Sequence, residues 1–321
     1  MNQKPLVSII VRTKDRPKVL VRAIKSIASQ TYRPIEVVLV NDGGCDLDID
    51  DLQGILGDIH LNYQRLEKNT GRAHAGNVGI ENAKGEYIGF LDDDDEFYPE
   101  HVEILVNCFQ GTDYKVAYTA VEFVEKIFDS QSMTFIKEKK WVFGRQFSFD
   151  DLLLNNYIPI NSLLLEADLL RNFMFDETFE LYEDWDLLIR LATVCKFYYV
   201  DEITAAYIIG ETGQIAYNPP FEEKKKAILK IYSKHREKIT AENIFFLNET
   251  VHLRDKEIEQ AKRELEEVKR ERESFIIQNK TLIDTNANLA RMNRKMEAYI
   301  NRIHSSRAWK CLKLLESIFR R

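Results

Sequence analysis

The chain has 321 residues, 45% of them hydrophobic, and a formal net charge of −7 at pH 7. This length and apolar content suit about two globular domains, and the acidic balance argues against a general nucleic-acid binder. Four scattered cysteines without a Cys-x-x-Cys pair, and six histidines without ligand spacing, argue against a disulfide framework and a zinc site. No apolar run has membrane-spanning length and the N-terminus lacks a signal-peptide core, so we expect a cytoplasmic protein.

The first hundred residues alternate between strand-like and helix-like segments. The run Leu6–Val11 is rich in β-branched residues, as expected of a strand that is covered on both faces. Pro17 suits the first turn of the following helix, and Asn41 opens a polar turn at the carboxyl end of a second strand. The alternation predicts an α/β fold with a mostly parallel twisted sheet, and the lack of a Gly-x-Gly-x-x-Gly motif disfavours a nicotinamide-dinucleotide fold. The predicted elements here are strands at 6–11, 35–40, 59–66 and 87–91, a helix that begins at 17 and stops before 34, and a helix at 73–83.

A cluster of four consecutive aspartates, Asp92–Asp95, follows the apolar run Tyr87–Leu91. At the carboxyl end of a buried strand these side chains lie where open α/β sheets bind ligands. Adjacent carboxylates repel one another unless a cation or a donor-rich ligand offsets their charge, and Mg²⁺ or Mn²⁺ bridging carboxylate and phosphate oxygens would do so. The cluster alone does not decide between such a metal site and a solvated acidic turn that caps a helix starting near Pro99.

After residue 115 the pattern changes to longer strands and one acidic, aromatic segment. Within Phe175–Leu191 we expect Asp184 or a neighbour to begin a helix whose apolar face holds Trp185. Asp184 is then either the helix N-cap or, beside Glu183 and Asp186, a carboxylate with a pKa raised enough for it to act as a base. The other predicted elements are a hairpin at 116–124 and 133–141, a helix at 147–155, strands at 161–165, 196–200 and 204–209, and a helix from about 219 to about 237.

Residues 244–303 carry an unbroken heptad repeat without glycine or proline. At about 1.5 Å per residue this helix would be roughly 90 Å long. Asn279, Asn286 and Asn293 occupy successive a positions. In a parallel coiled coil each of these asparagines meets its own copy, whereas against an aliphatic surface each would be buried without a partner. We therefore predict a parallel homo-oligomer, with a dimer favoured over a trimer, rather than a single amphipathic helix packed on the domain.

The last segment, residues 304–321, is basic and aromatic. From Ser305 onward, five Lys or Arg residues against one acid surround Trp309 and several aliphatic side chains. This composition is typical of a helix that lies in the interface of an anionic membrane, and the alternative is a small helix that folds back on the coil. We predict a peripheral position on the inner face of the cell membrane. The predicted division of the chain is a globular domain at 1–218, a helical connector at 219–243, the coiled coil at 244–303 and the membrane-associating helix at 304–321.

The first 210 residues resemble the family 2 glycosyltransferases, whose catalytic domain has the nucleotide-sugar-binding GT-A fold. The matching motifs occur in the expected order and spacing, and the set is far more specific than any single motif. They are Val7-Ser-Ile-Ile-Val-Arg-Thr-Lys-Asp-Arg-Pro, Val38-Leu-Val-Asn-Asp-Gly-Gly, Asn69-Thr-Gly with Gly76-Asn-Val-Gly, Gly85-Glu-Tyr-Ile-Gly-Phe-Leu-Asp-Asp-Asp-Asp, and Glu183-Asp-Trp-Asp with Arg190. The basic, aromatic C-terminal end is similar to that of some bacterial polysaccharide and O-antigen-type glycosyltransferases.

The resemblance implies a role for each matching polar residue. Asp94 would coordinate the metal, and Asp92 would contact the ribose or contact the metal through water. Asp184 would be the catalytic base, supported by Glu183, and Asp42 would address the nucleotide base. The residues that would bind the nucleotide sugar are Arg12, Thr13, Asp15, Asp42, Arg72, Asp92 and Asp93, and those that would contact the acceptor are Asn161 and Trp185.

Two positions depart from the family pattern. Lys14 stands where the family often has an aromatic residue near the nucleotide base, and Asn41 stands where it commonly has an aspartate. Stacking on uracil is therefore not implied, and the donor carries either uridine or another nucleoside.

The resemblance implies an inverting, metal-dependent glycosyltransferase that uses Mn²⁺ or Mg²⁺. A nucleotide sugar, expected to be a UDP-sugar, would donate its sugar to a hydroxyl of a lipid-linked or growing surface glycan in a single displacement. The metal and nearby cations would stabilise the leaving diphosphate, and a carboxylate would take the acceptor proton. The alternative from a different class is a coiled-coil scaffold with an inactive sugar-nucleotide-binding domain, which an activity assay distinguishes from the enzyme.

Overall fold

The first strand, β1 (Val7–Thr13), lies at the centre of the parallel part of the sheet. All its residues are buried, because β2 (Ile35–Asn41) pairs with it on one side, β4 (Tyr87–Asp92) pairs on the other, and side chains pack on both faces. The strand β3 (His60–Arg65) pairs with β2 and completes four parallel strands. The structure, a computed structural model, describes residues 4–128, 135–209 and 219–305.

Apolar side chains of β1 alternate between two cores, one on each face of the sheet. Ile9 packs in the same core as α1 (Pro17–Ala28), in which Pro17 takes the first helical position as predicted. Ile10 packs on the other face, against α3 (Arg72–Asn82). A Cβ atom on Gly79 of α3 would overlap the side chain of Ile10, so this glycine lets the helix approach the sheet closely.

Beyond β4 the sheet becomes mixed. The strand β8 (Leu163–Glu166) runs antiparallel to both β4 and β6 (Tyr114–Phe128), whereas β9 (Lys196–Ile209) runs parallel to β6. The parallel arrangement predicted from the alternation therefore describes β1–β4, and in the later part of the described sheet the pair of β6 and β9 is also parallel. With β5 (Glu96–Phe97) and β7 (Phe135–Phe143) included, the strand order over the described residues is β3-β2-β1-β4-β8-β6-β9-β5, with β7 paired to β6.

Several elements differ from the sequence prediction. The two short strands predicted at 196–200 and 204–209 form the single strand β9, whose pairing with β6 shifts register near its middle. Helices α2 (Ile49–Leu56) and α6 (Ala167–Asn172) are absent from the prediction because such short elements carry little periodicity. The remaining helices of this part are α4 (His101–Phe109), α5 (Phe149–Leu154), α7 (Glu183–Ala192) and α8 (Phe221–His235).

The chain divides into two units, Met1–Ile244 and Phe245–Arg321. The described part of the second unit is helical throughout, within α9 (Ala241–Ser305), and its large apolar side chains, such as Phe275 at 64% exposure, face solvent in the single chain. The oligomer remains a prediction, and the predicted membrane-associating segment after Ser305 lies outside the described residues. Over the described ranges, no helix combines the length and apolar character needed to cross a bilayer.

Candidate active site

A cleft of about 890 Å³ opens at the carboxyl ends of β1, β2 and β4. Its walls come from the turn after β1, the loop before α3, the end of β4, the segment before α7, and α8. Such a concave, charged site suits a ligand that carries both phosphates and hydroxyl groups. Its charged lining consists of the cations Arg12, Lys14, Arg16, Arg72, Lys226 and Lys230 and the carboxylates Asp42, Asp92, Asp94, Glu177, Glu180 and Glu223.

The four consecutive aspartates split into an outward pair and a buried pair. Asp92 and Asp94 line the cleft, with side chains 25% and 34% exposed. Asp93 is fully buried; it accepts a hydrogen bond from the Thr13 hydroxyl (2.6 Å) and forms an ion pair with Arg16. Burial raises the pKa of Asp93 to about 7, against the lowering effects of Arg16 and Thr13. Asp93 is therefore enclosed, which differs from its predicted contact with the nucleotide, whereas Thr13 bonds Asp93 and also lines the cleft.

The fourth aspartate, Asp95, also faces the interior. It accepts hydrogen bonds from the backbone N–H of Ile208 and from the side-chain amide of Asn161, both at 2.9 Å. Asn161 is therefore buried in the structure, and so is Trp185, whose indole N–H donates to the carbonyl of Leu152 at 2.6 Å. The prediction that Asn161 and Trp185 contact an acceptor does not match this arrangement, because both side chains are enclosed and already bonded.

Arg12, at the end of β1, joins two carboxylates that are far apart in the sequence. Its guanidinium donates to Asp92 at 2.8 Å and 3.2 Å and to Glu183 at 3.0 Å, and the side chain is only 8% exposed. Burial acts to lower the pKa of Arg12, but the charges of Asp92 and Glu183 outweigh it and hold that pKa above its ordinary value. Burial likewise acts to raise the pKa of Asp92, and Arg12 followed by Arg72 holds it below its ordinary value. This pairing ties the cleft to the beginning of α7.

Asp184 lies in the first turn of α7, one residue after Glu183. The helix N-cap is Tyr182, so the hypothesis that Asp184 caps the helix is wrong. Asp184 accepts hydrogen bonds from the Asn156 amide (3.1 Å) and from the backbone N–H of Trp185 (2.8 Å). Burial, followed by the charge of Glu183, raises the pKa of Asp184 to about 6.

Tyr182 itself adopts a left-handed backbone conformation, with a φ of 63°. For a residue with a side chain this conformation costs on the order of 1–3 kcal/mol and persists only where neighbouring contacts enforce it. The Tyr182 ring packs edge-on against Trp185, with ring centroids 5.7 Å apart. The strain thus lies immediately before the carboxylate pair Glu183 and Asp184.

Asp42, at the end of β2, holds the loop that leads into α3. Its carboxylate accepts hydrogen bonds from the backbone N–H of Thr70 (2.7 Å), the Thr70 hydroxyl (2.9 Å) and the backbone N–H of Gly71 (3.0 Å). Gly43 has a φ of 67°, and a Cβ atom there would overlap the backbone of Lys68. Asp42 and the N-terminal end of α3 at Gly71 both line the cleft. A helix N-terminus in this position favours anionic groups such as phosphates.

The remaining predicted site residues divide between the cleft and its surroundings. Arg72 lines the cleft as predicted, whereas Asp15 is absent from the lining and accepts a hydrogen bond from the backbone N–H of Cys45. The sequence interpretation missed Arg16, which pairs with Asp94 at 2.5 Å, although its position in the same turn as Arg12 was a usable signal. It also missed the α8 cations in the lining, for which no local pattern gives a signal.

Residues 8–165 match the family described as glycosyl transferase family 2. This part of the chain belongs to glycosyltransferase family 2. An uncharacterised glycosyltransferase of Rickettsia typhi is 31% identical over 208 residues, which cover 62% of this chain and 62% of the relative. A putative colanic acid biosynthesis glycosyl transferase of Escherichia coli, WcaA, is 27% identical over 245 residues, covering 74% of this chain and 84% of the relative. The chain thus spans less than two thirds of the length of the Rickettsia typhi protein.

Solved glycosyltransferases share the fold of this chain, which confirms the predicted GT-A fold. Staphylococcus aureus TarS 1-349 in complex with UDP-GlcNAc superposes with a TM-score of 0.53 at 19% identity, over 70% of this chain and 64% of that one. The mannosyltransferase PcManGT from Pyrobaculum calidifontis, in complex with GDP-Man and Mn²⁺, has a TM-score of 0.53 at 14% identity, over 74% and 65% of the two chains. The predicted family 2 resemblance is likewise confirmed.

Proposed function

We propose that the chain transfers a sugar, with inversion, from a nucleoside-diphosphate donor to a hydroxyl group of a lipid-linked or growing surface glycan. The observation that carries the proposal is the pairing of Arg12 with both Asp92 and Glu183. One buried guanidinium thereby couples the carboxylates at the phosphate-favouring cleft to the carboxylate pair that contains Asp184. A donor site and a general base are the two parts that a single displacement requires.

The relatives support the donor and acceptor classes. TarS binds UDP-GlcNAc and PcManGT binds GDP-Man, so the shared fold accepts nucleotide sugars with different bases. WcaA is described as a putative colanic acid biosynthesis glycosyl transferase, which favours a surface polysaccharide as the acceptor here. A UDP-sugar is our first choice of donor, with Asp42 near the nucleotide base.

We assign a role to each group of residues in the cleft and to Glu183 and Asp184, which lie in the first turn of α7 and are not part of the cleft lining. The N-terminal end of α3 and the cations of the lining, among them Arg16 and Lys226, would bind the diphosphate and stabilise the charge that it gains on leaving. Asp184 would take the proton from the attacking hydroxyl, and Glu183 would keep the pKa of Asp184 raised. Arg12 would hold Asp92 and Glu183 in place, because its two carboxylate partners leave it little freedom.

Asp92 and Asp94 fit a divalent metal. Within the described part of the chain, Oδ2 of Asp92 and Oδ1 of Asp94 receive no hydrogen bond, while the other oxygen of each is held by Arg12 or Arg16. Two carboxylates with a free oxygen, supplemented by phosphate oxygens and water, are a common way to bind Mg²⁺ or Mn²⁺. Among the described residues no three His, Cys, Asp or Glu side chains converge as a ready-made site. Bound there, the metal would act as a Lewis acid on the leaving diphosphate.

Replacing Asp94 by asparagine is expected to abolish metal-dependent nucleotide binding while leaving the fold intact, because its side chain lies on the cleft surface. The measurement is the thermal shift given by a panel of nucleoside diphosphates and nucleotide sugars, with and without Mn²⁺. The same panel identifies the nucleoside, since the matching donor gives the largest shift by mass action.

Glu180→Gln is the matched control for this variant, because Glu180 is an exposed carboxylate of the same cleft outside the aspartate cluster. It should keep the parent's metal dependence. Unchanged metal dependence in the Asp94 variant would exclude Asp94 as a metal ligand. A parent protein that binds nucleotide but transfers no sugar would favour the inactive scaffold.

The transfer rate is expected to rise with pH through about pH 6 and to level off above it. A general base works only when it is ionised, and the pKa of Asp184 is raised to about 6 by burial and by Glu183. The measurement is the pH dependence of kcat at saturating donor. The Asn156→Ala substitution removes a hydrogen bond that lowers the pKa of Asp184. The acidic limb of the kcat–pH profile should therefore lie at higher pH in this variant than in the parent. An acidic limb at the same pH in both proteins would contradict the assignment.

We also propose that residues 244–303 form a parallel coiled coil that joins two copies. The heptad positions Val251, Ile258, Leu265 and Leu282 are about half exposed in the single chain and would be covered in a dimer. Asn286→Ile is expected to raise Tm and to make the oligomer number less uniform, because a buried asparagine pair costs stability but specifies a dimer.

The outward-facing Asn288, two residues further along the same helix, provides the control for this change: Asn288→Ile should leave both properties unchanged. Sedimentation of the two full-length variants measures the oligomer number, and a monomeric parent protein would contradict the proposed coiled coil.

The segment 304–321 of each copy would then lie at the inner face of the membrane, so that a dimer brings two basic, aromatic ends next to a lipid-linked acceptor. Binding to anionic vesicles that survives removal of residues 304–321 would locate membrane contact elsewhere.

A further inference from the structure

Helix α8 contributes one of its faces to the cleft. The residues of this face that line the cleft, three and four positions apart, are Glu223, Lys226, Ala227 and Lys230. The N-terminal end of α3 at Gly71, which favours phosphate groups, lines the same cleft. The α8 lysines and this helix end therefore share one ligand-sized space.

Lys226 differs from the other cations of the cleft because it is not engaged by the protein. Arg12 and Arg16 each pair with aspartates, and Lys230 donates a hydrogen bond to the carbonyl of Thr178. Within the described ranges Lys226 is exposed and has neither an ion pair nor a hydrogen bond. An anionic ligand can therefore bind its ammonium group without breaking an existing ion pair.

The C-terminal end of α8 is fixed to α7 through the fully buried carboxylate of Asp186. One oxygen, Oδ1, accepts hydrogen bonds from Nε2 of His235 (2.9 Å) and from Nζ of Lys234 (2.7 Å), both on α8. The other oxygen accepts a hydrogen bond from Arg190 of α7 at 2.8 Å. Burial acts to raise the pKa of Asp186, but the bonds from His235 and Lys234 and the charge of Arg190 hold it below its ordinary value.

Apolar packing fixes the same end of the helix. Ile231 is fully buried in the core on the α3 face of the sheet. The Tyr232 hydroxyl donates to the carbonyl of Leu154 at 2.9 Å, and its ring lies edge-on to Trp185 with centroids 6.0 Å apart. The last turns of α8 thus have one defined position against α7, and a continuous helix carries that position to its cleft-lining turns.

We propose that Asp186 and His235 are positioning residues, which hold α8 so that Lys226 contacts the diphosphate of the donor. This inference rests on the proposed function, of which it specifies the diphosphate site. Lys226 lies nine residues before His235, about 14 Å along the helix at ~1.5 Å per residue. Asp186 also lies two residues after Asp184, so one buried carboxylate connects the diphosphate contact to the helix that carries the proposed base.

The test measures the affinities of the full-length protein for UDP and GDP by calorimetry in the presence of Mn²⁺. Lys226→Met should weaken binding of the recognised nucleotide about tenfold, at the lower end of what a charge-assisted hydrogen bond contributes. It should leave Tm unchanged, because Lys226 is exposed and makes no bond within the described part of the chain.

His235→Ala should weaken binding of the same nucleotide by a similar factor, because α8 is then less firmly held. In the Lys226→Met background the same change should have almost no further effect, since the contact that depends on it is already absent. A purely structural role of His235 would lower Tm and leave the affinity of the parent unchanged. His235→Gln should restore binding, because its side-chain amide N–H can take the place of Nε2.

Two further variants complete the test. Lys225→Met is the matched control, because Lys225 is the neighbouring lysine, pairs with Glu222 at 3.6 Å and is absent from the cleft lining; it should bind nucleotide like the parent. Lys234→Met serves in place of His235→Ala if the latter does not fold, because the Lys234 side chain is 32% exposed and its loss leaves His235 bonded to Asp186.

The outcomes separate this inference from the proposed function. Parent-like affinity in the folded anchor variant, or a loss that persists undiminished in the Lys226→Met background, would overturn the positioning role while leaving the donor site intact. Parent-like affinity of Lys226→Met itself would exclude the diphosphate contact. A parent protein that binds neither UDP nor GDP would contradict both the proposed donor site and this inference.

Discussion

An Asp184→Asn variant is expected to bind nucleotide like the parent and to transfer sugar on the order of 10²–10⁴ times more slowly, which is the usual loss when a general base is removed. Asparagine keeps the shape of the side chain and an oxygen for the hydrogen bond from the Trp185 N–H. It has no carboxylate to accept the proton of the attacking hydroxyl. The measurement pairs single-turnover transfer with calorimetric binding of the donor.

Thermal melting provides the control for this variant. At neutral pH the ionised Asp184 is opposed by burial and by the charge of Glu183, so a neutral asparagine should not lower Tm. Tyr182, not Asp184, is the N-cap, so no cap is lost. Near-normal transfer by a well-folded variant would exclude Asp184 as the base and direct attention to Glu183.

Replacing Arg12 by methionine is expected to lower the free energy of unfolding by about 3–5 kcal/mol, the typical effect of removing one partner from a buried ion pair. The side chain is 8% exposed, and its loss leaves Asp92 and Glu183 without their shared cation. Glu183 is the more costly of the two to leave unpaired, because its side chain is only 5% exposed. Urea denaturation followed by circular dichroism provides the measurement.

Two further variants make the Arg12 result specific. Arg171→Met removes an exposed ion pair with Asp168 and should cost only about 0–1 kcal/mol. Adding Glu183→Gln to Arg12→Met should restore part of the lost stability, because it removes the more deeply buried of the two unpaired charges. If the Arg12→Met protein is as stable as the parent, the guanidinium is not needed to offset these carboxylates.

The sequence alone was sufficient for the features that depend on neighbouring residues. The buried strand before Asp92, the carboxylates at its end and the helix that begins at Pro17 follow from local composition, because strand burial and helix starts leave periodic and positional signals. The order and spacing of the motifs were enough to predict the family and the GT-A fold.

The roles of individual aspartates required the tertiary structure. Four identical residues in a row carry no signal that separates Asp92 and Asp94 from Asp93 and Asp95. The separation arises because Thr13 binds Asp93 from β1, while Asn161 and the backbone of β9 bind Asp95. The same kind of long-range contact buries Asn161, which was expected from the sequence to contact the acceptor.

Contacts between distant segments decide the rest of the site. Arg12 and Glu183 are 171 positions apart in the sequence, yet their side chains meet at 3.0 Å. Burial beside Glu183 also raises the pKa of Asp184, a property of the folded site that adjacent acidic residues only suggest. Local sequence sets which segments become strands and helices, but the order of strands in the sheet sets which side chains meet. That order depends on packing the whole chain, and it is therefore absent from any local pattern.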